Sequence, residues 1–337
     1  MFEAQVSRRT VIAATGAAAV AAALAGCGKK SASGAGAAGV SGATVRIGDV
    51  LDRKNPEVIT ENYMAGLLKT NGKLNAKTFP DGVLGSHARM NEQLRNGTLE
   101  ITVTNVADLE SYDKRLGLFA MPFAFADRKA LFAAEDGELG KAYTNILDKL
   151  GFVLLGWFDS GERNIYNRTR PIRTPDDLKG LKIRVQGNKI MIATFNQLGA
   201  QATPLATNQI YSALQQGVVD GAENSVTFFV QQHHSEVAKF YSYTKHFFSI
   251  DPMLASKKWF ETLDSKTQDV VKEAGMKAQE KERGLWLASD DKYTQQAKAA
   301  GIKFNDADVP AFRSAVKPIY TQYKSNFAEL ASYLPDL

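Results

Sequence analysis

Cysteine is almost missing from this chain. Its 337 residues include one, Cys27, which excludes an internal disulfide framework, a multi-cysteine zinc site and an iron–sulfur cluster. Histidine is scarce too, with His87, His233, His234 and His246. Only the adjacent pair is close in sequence, and neighbours on a helix point about 100° apart, too far to share one metal. No metal site is expected. There is no Gly-x-Ser-x-Gly elbow, phosphate loop, Gly-x-Gly-x-x-Gly fingerprint or His-Glu-x-x-His helix, so the usual signs of hydrolase, nucleotide, dinucleotide or zinc-protease chemistry are missing. With no nucleophile or acid–base pair in view, neither catalysis nor a cofactor is expected. The net charge of +5 comes without a lysine- or arginine-rich block, which argues against nucleic acid as a partner. What remains is ordinary globular composition, 44% hydrophobic and 23% charged, in a chain long enough for roughly two domains.

The first segment reads as an address. Residues 1–26 open with Ser7-Arg8-Arg9-Thr10-Val11-Ile12, a twin-arginine pair ahead of an uncharged, alanine-rich stretch. That is the grammar of a bacterial export signal, and the stretch is short for a membrane-spanning helix. It ends in Leu24-Ala25-Gly26-Cys27, which resembles the lipobox of bacterial lipoproteins and makes Cys27 the expected lipidation site. Residues 27–43 are rich in Gly, Ala and Ser and are expected to form a flexible, lipid-anchored tether. Folded structure is expected from Thr44. An exported, tethered domain works outside the cytoplasm and close to a membrane.

Past the tether, β and α signals alternate. Thr44–Gly48 reads as a strand, Pro56–Lys69 as a helix, and Met90–Leu94 as a helix stopped by Gly97 before a strand over Leu99–Thr104. Later, Thr207–Gln216 reads as a helix stopped by Gly217 before a strand over Val218–Ala222. Leu94-x-x-Gly97-x-x-Glu100 and Leu214-x-x-Gly217-x-x-Asp220 therefore echo one another at helix–strand junctions. Gly151–Phe158 and Leu181–Val185 add strands, and Ser265 to about Ala300 predicts one or two long helices, with Gly275 and Gly284 as interruptions. Two similar β/α units predict an α/β fold of two lobes around a cleft.

In α/β proteins ligands gather at strand ends. Asn105 follows the strand Leu99–Thr104, Asn224 follows Val218–Ala222, and Arg184 sits inside Lys182–Val185. An arginine within an apolar alternation must reach solvent, an internal carboxylate or an anion in a cleft, because burying an unpaired guanidinium is costly. Arg163, after Asp159-Ser160-Gly161-Glu162, reads from its surroundings as an exposed loop arginine.

From Thr44 to the C-terminus the chain resembles the substrate-binding proteins of tripartite ATP-independent periplasmic (TRAP) transporters. The resemblance is carried by Phe79-Pro80-Asp81-Gly82-Val83-Leu84-Gly85, Gln93-Leu94-Arg95-Asn96-Gly97, Met121-Pro122-Phe123, the run Pro175 to Val185, and the run Tyr211 to Asn224. It implies a two-lobe periplasmic binding protein fold with crossing hinge strands and a long helix spanning both lobes. The implied lobe I is 44–160 plus about 251–289, and lobe II is 161–250 plus about 290–337. It further implies capture of a small organic acid and its delivery, by a monomer, to a TRAP membrane permease. Arg184 would pair with the ligand carboxylate, with Arg163 as a second arginine nearby. Asn224 and Asn105 would contact the ligand from the two lobes, and Gln186 and Asp251 would meet its hydroxyls. Members that bind sialic acid carry an aromatic residue at the position of Thr207 and Pro-Asn at Gln186-Gly187, so that ligand is not expected. A sugar acid such as a uronate or aldonate is favoured, with a C4-dicarboxylate or a 2-oxo acid behind it. A ligand-loaded sensory protein would use the same cleft.

Overall fold

Nine strands, among the residues 44–336 that the computed structural model describes, join in one mixed sheet. The expected export signal, Cys27 and the expected tether lie outside the described residues. In chain order the strands are β1 (Thr44–Gly48), β2 (Asn75–Phe79), β3 (Ile101–Val103), β4 (Phe152–Asn167), β5 (Lys182–Val185), β6 (Gln201–Pro204), β7 (Gly221–Asn224), β8 (Phe240–Ser256) and β9 (Lys303–Asp306). Their order across the sheet is β2-β1-β3-β8-β4-β7-β5-β6, with β9 also on β8. The two long strands organise the rest. At about 3.3 Å per residue, β4 and β8 each reach about 50 Å and run antiparallel through the middle of the molecule. The parallel trio β2-β1-β3 attaches to the C-terminal half of β8, and the parallel trio β6-β5-β7 to the C-terminal half of β4. Each trio with its share of the crossing strands is one lobe.

Midway along the crossing pair the ladder slips, between Leu154 and Gly156, between Asp159 and Glu162, and between Arg163 and Ile165. Such bulges bend strands and sharpen twist. Gly161, at φ +85°, occupies the left-handed region there. The polar run Asp159-Ser160-Gly161-Glu162 therefore marks a bulge inside one strand, where its sequence resembled a loop. This is why β4 continues to Asn167 instead of ending near Phe158.

The internal echo has a structural cause. Both helices, His87–Asn96 and Ile210–Gln216, end on a left-handed glycine, Gly97 at φ 78° and Gly217 at φ 73°. In each, the next amide closes the cap, Thr98 N–H on the Gln93 carbonyl and Val218 N–H on the Ala213 carbonyl, both at 2.9 Å. The acid three residues beyond the glycine then anchors the neighbouring strand: Glu100 accepts from the Arg46 amide at 2.8 Å, and Asp220 from the Lys182 amide at 2.8 Å. Because the caps consume these residues, the strands start later than the sequence suggests. β3 is Ile101–Val103, not Leu99–Thr104, and β7 is Gly221–Asn224, not Val218–Ala222, so Asn224 closes its strand instead of following it.

One helix, Ser265–Ala299, runs unbroken for 35 residues, about 52 Å at 1.5 Å per residue. It packs on β4, on the lobe I helix Pro56–Asn71 and on the lobe II helix Val226–Gln231. Gly275 is a contact point and not an interruption: a Cβ there would overlap the Leu155 carbonyl. Helix Pro56–Asn71 starts as sequence rules require, with Asn55 capping the Glu57 amide and Pro56 in the first turn.

Candidate functional site

Arg184 lies on β5, which is flanked by β7 and β6 and is no edge strand. Its Nε and Nη2 donate to the Leu205 carbonyl at 2.9 and 2.7 Å. The residue is 2% exposed, and no carboxylate among the described residues comes within ion-pairing distance. Burial lowers its pKa to about 10; the charge of Glu223 opposes that shift and Arg163 adds to it. A cation has been taken out of water and given a carbonyl for company. It borders a cleft of about 340 Å³, within the range of small-molecule sites. From lobe II the wall holds Arg184, Gln186 and the segment Pro204–Gln209; from lobe I it holds Asp81, Ser86, His87 and Asp108.

Arg163 is buried on β4, not exposed, and it is already paired. Its Nε and Nη2 reach the two carboxylate oxygens of Glu223 at 2.6 Å each, the parallel fork geometry that arginine favours. Its Nη1 turns to Asn224 Oδ1 at 3.3 Å and Ser249 Oγ at 3.5 Å. His246 Nε2 stands 3.4 Å from the same Glu223. Burial pushes the Glu223 carboxyl up, but Arg163 and His246 outweigh it and hold it down at about 2. The loop reading failed because the partner, Glu223, is 60 residues away and reaches Arg163 only through the β4–β7 ladder.

The other four predicted residues converge on the same place. Asn105 caps the turn Val106–Ser111, its Oδ1 accepting from Ala107 N–H at 3.0 Å, and its Nδ2 donates to Ser249 Oγ at 2.9 Å and to Asp251. Asp251 is buried on β8 and pushed up to about 6 by burial and by Asp49, against the lowering pull of His87, Arg163 and Asn105. Gln186 is buried just past β5, and its side chain makes no hydrogen bond to another described residue. Together with Arg184, Arg163 and Asn224, these residues line an inner chamber beside the cleft, about 20 Å³ in volume and room for about one water. Val50, His87, Arg184, Gln186 and Thr207 belong to both walls.

Two residues of the wall escape a reading of the sequence. His87 opens the helix His87–Asn96, and its Nδ1 lies 3.0 Å from Asp108 Oδ2. Burial draws its pKa down, but the bond and charge of Asp108, with Asp251 and Asp49 behind, raise it above the usual imidazole value. Position at a helix start after Gly85-Ser86 was the one available hint. The adjacent His233 and His234 do not converge: His233 sits on Glu236 at 2.9 Å, and buried His234 on the Tyr166 hydroxyl at 2.7 Å.

Two lobes joined by crossing strands, with a cleft walled by both and an arginine there that has no ionic partner among the described residues, define a binding protein for a small anion. Residues 47–326 match the family described as bacterial extracellular solute-binding protein, family 7, and the chain belongs to that family. A solute-binding protein of Chromohalobacter salexigens is 33% identical over 270 residues, 80% of each chain. Among solved structures, a TRAP periplasmic solute-binding protein of Sulfitobacter sp. NAS-14.1 with bound β-D-galacturonate superposes with a TM-score of 0.85 at 31% identity, over 87% of this chain and 99% of that one. Its counterpart from Pseudomonas putida F1, with bound D-glucuronate, gives 0.82 at 34% identity, over 86% and 96%. The expected fold and the expectation of binding without catalysis both hold.

Proposed function

We propose that this protein captures a sugar acid, a uronate or an aldonate, in its cleft and delivers it to a TRAP permease. The observation that carries this reading is the Arg184 guanidinium, buried on the cleft wall with no carboxylate of its own. A ligand carboxylate there takes two parallel hydrogen bonds, which fix its orientation as well as its charge. Arg163, already neutralised by Glu223, holds Asn224 and Ser249 in place and offers its Nη1 edge to the ligand. Asn105, Gln186, Asn224 and Asp251 supply donors and acceptors for hydroxyls, each left unpaired by the wrong acid. The bound uronates of the two similar structures support this ligand class. Lobe I is then 44–160 with about 251–289 and lobe II 161–250 with about 290–337, rotating on the bulged centre of β4 and β8. Cys27 carries the lipid that keeps the domain at the membrane.

A thermal-shift screen of uronates, aldonates, C4-dicarboxylates and 2-oxo acids tests the ligand class, since a ligand that binds only the folded form raises its melting point. Stabilisation by uronates or aldonates is expected. A response confined to dicarboxylates or 2-oxo acids would overturn the proposal.

A further inference from the structure

Arg163 and Glu223 cancel through their paired 2.6 Å bonds, so Arg184 is the one cation of the lobe II wall without an ionic partner among the described residues. The facing wall is acidic. Asp108 and Asp81 line it, Asp81 standing 3.7 Å from the exposed Arg53, and Asp251 lies in the chamber behind. His87 Nδ1 stands 3.0 Å from Asp108, so a protonated His87 would cancel Asp108 as Arg163 cancels Glu223, whereas a neutral His87 leaves the acid's charge on the wall. The other oxygen of Asp108 makes no hydrogen bond to a described residue and stands on the cleft wall as an acceptor.

We propose that the Asp108–His87 pair is the specificity determinant of this cleft, admitting polyhydroxy acids with one carboxylate and rejecting those with two. This rests on the reading that Arg184 takes the first carboxylate. The far end of the ligand then meets Asp108, which accepts a hydroxyl proton well and a second carboxylate badly. His87 holds Asp108 in position from the same wall. With His87 neutral, two like charges about 4–5 Å apart, at the effective dielectric of a protein site, repel strongly enough to cost at least about a hundredfold in affinity. The C4-dicarboxylate alternative is thereby excluded on charge rather than size.

D-Galactose with no carboxylate, D-galacturonate with one and galactarate with two probe the effect, and galactonate, open-chain like galactarate but with one carboxylate, must bind with the uronate and not with the diacid if charge is what counts. The glucose, glucuronate and glucarate series serves as a second set. Titration calorimetry on the full-length protein, at a mildly alkaline pH that keeps His87 neutral, should show the uronate binding at least about a hundredfold tighter than both the neutral sugar and the diacid. In Asp108→Asn the gap between uronate and diacid should narrow at least about tenfold, and residual uronate binding verifies that the variant is folded. A wild-type diacid affinity within tenfold of the uronate overturns the proposal, as does an Asn variant with an unchanged ratio. If Asp108→Asn does not fold, the wild-type ratio decides alone. Failure of the underlying reading looks different: the neutral sugar then binds as well as the uronate, or neither uronate binds, and both proposals fall.

Discussion

Replacing Arg184 with alanine should separate binding from stability. The guanidinium is 2% exposed, and its pKa has fallen to about 10, so at neutral pH about one molecule in a thousand is uncharged there. Keeping that charge buried costs on the order of 3 kcal/mol, which two hydrogen bonds to the Leu205 carbonyl offset in part. Arg184→Ala removes both terms, so the ligand-free variant should melt within about 3 °C of the parent. Binding should behave quite differently. Cutting one partner of a buried charge pair costs roughly 2–5 kcal/mol, about 30-fold to several thousandfold in Kd, and the ligand-induced rise in Tm should vanish. Arg184→Lys, which keeps the charge and loses the fork, should fall between. Calorimetry with the uronate that stabilises the parent most is the assay. Affinity of Arg184→Ala within a factor of two of the parent would refute the role, and loss of affinity together with a collapse in ligand-free Tm would refute the separation.

Arg163 should respond in the opposite sense: Arg163→Ala strands the buried Glu223 carboxylate and should destabilise the ligand-free protein by about 3–5 kcal/mol in urea unfolding, and a loss below 1 kcal/mol would contradict the pairing. Glu223, with its folded pKa down at about 2, contributes stability that is complete above the ordinary glutamate pKa and disappears as pH falls through about 2; Glu223→Gln should therefore flatten acid unfolding below pH 4.5. Glu57 has the reverse sign. Burial, compounded by Asp251, Asp49, Glu282 and Glu61, raises its pKa well above the usual value, and neither carboxyl oxygen has a hydrogen-bond partner among the described residues. The unfolded chain releases this proton above about pH 4.5 while the folded one retains it, so Glu57→Gln should gain on the parent by up to about 1.4 kcal/mol per pH unit from pH 5 to 7; a difference independent of pH would count against it. Gly275→Val forces a side chain into the Leu155 carbonyl and should lower stability by at least about 1–3 kcal/mol with uronate affinity per folded molecule retained; a Tm unchanged by the substitution would mean the helix–strand contact is looser than it stands.

Local signals carried much of the architecture. Alternation located β1 and β5, apolar spacing located the helix Pro56–Asn71, and Gly97 and Gly217 stopped their helices because only a residue without a Cβ takes the left-handed cap at little cost. The ordered motifs pointed to the family, and an arginine in an apolar strand singled out Arg184, since an unpaired buried guanidinium is costly. Apart from the order of the motifs, which runs from Phe79 to Asn224, these depend on residues within a turn or two of each other.

Other features depended on neighbours that the chain brings from afar. The length of β4 and β8 comes from pairing with one another, which lets a polar bulge sit inside a strand. Arg163 is internal because the ladder carries Glu223 to it across 60 residues, and His87 joins the cleft because Asp108 stands beside it in the fold. Local sequence sets backbone preference and the chemistry each side chain can offer. Which charges are cancelled and which stay available is a matter of distance in space, and only the folded chain decides that.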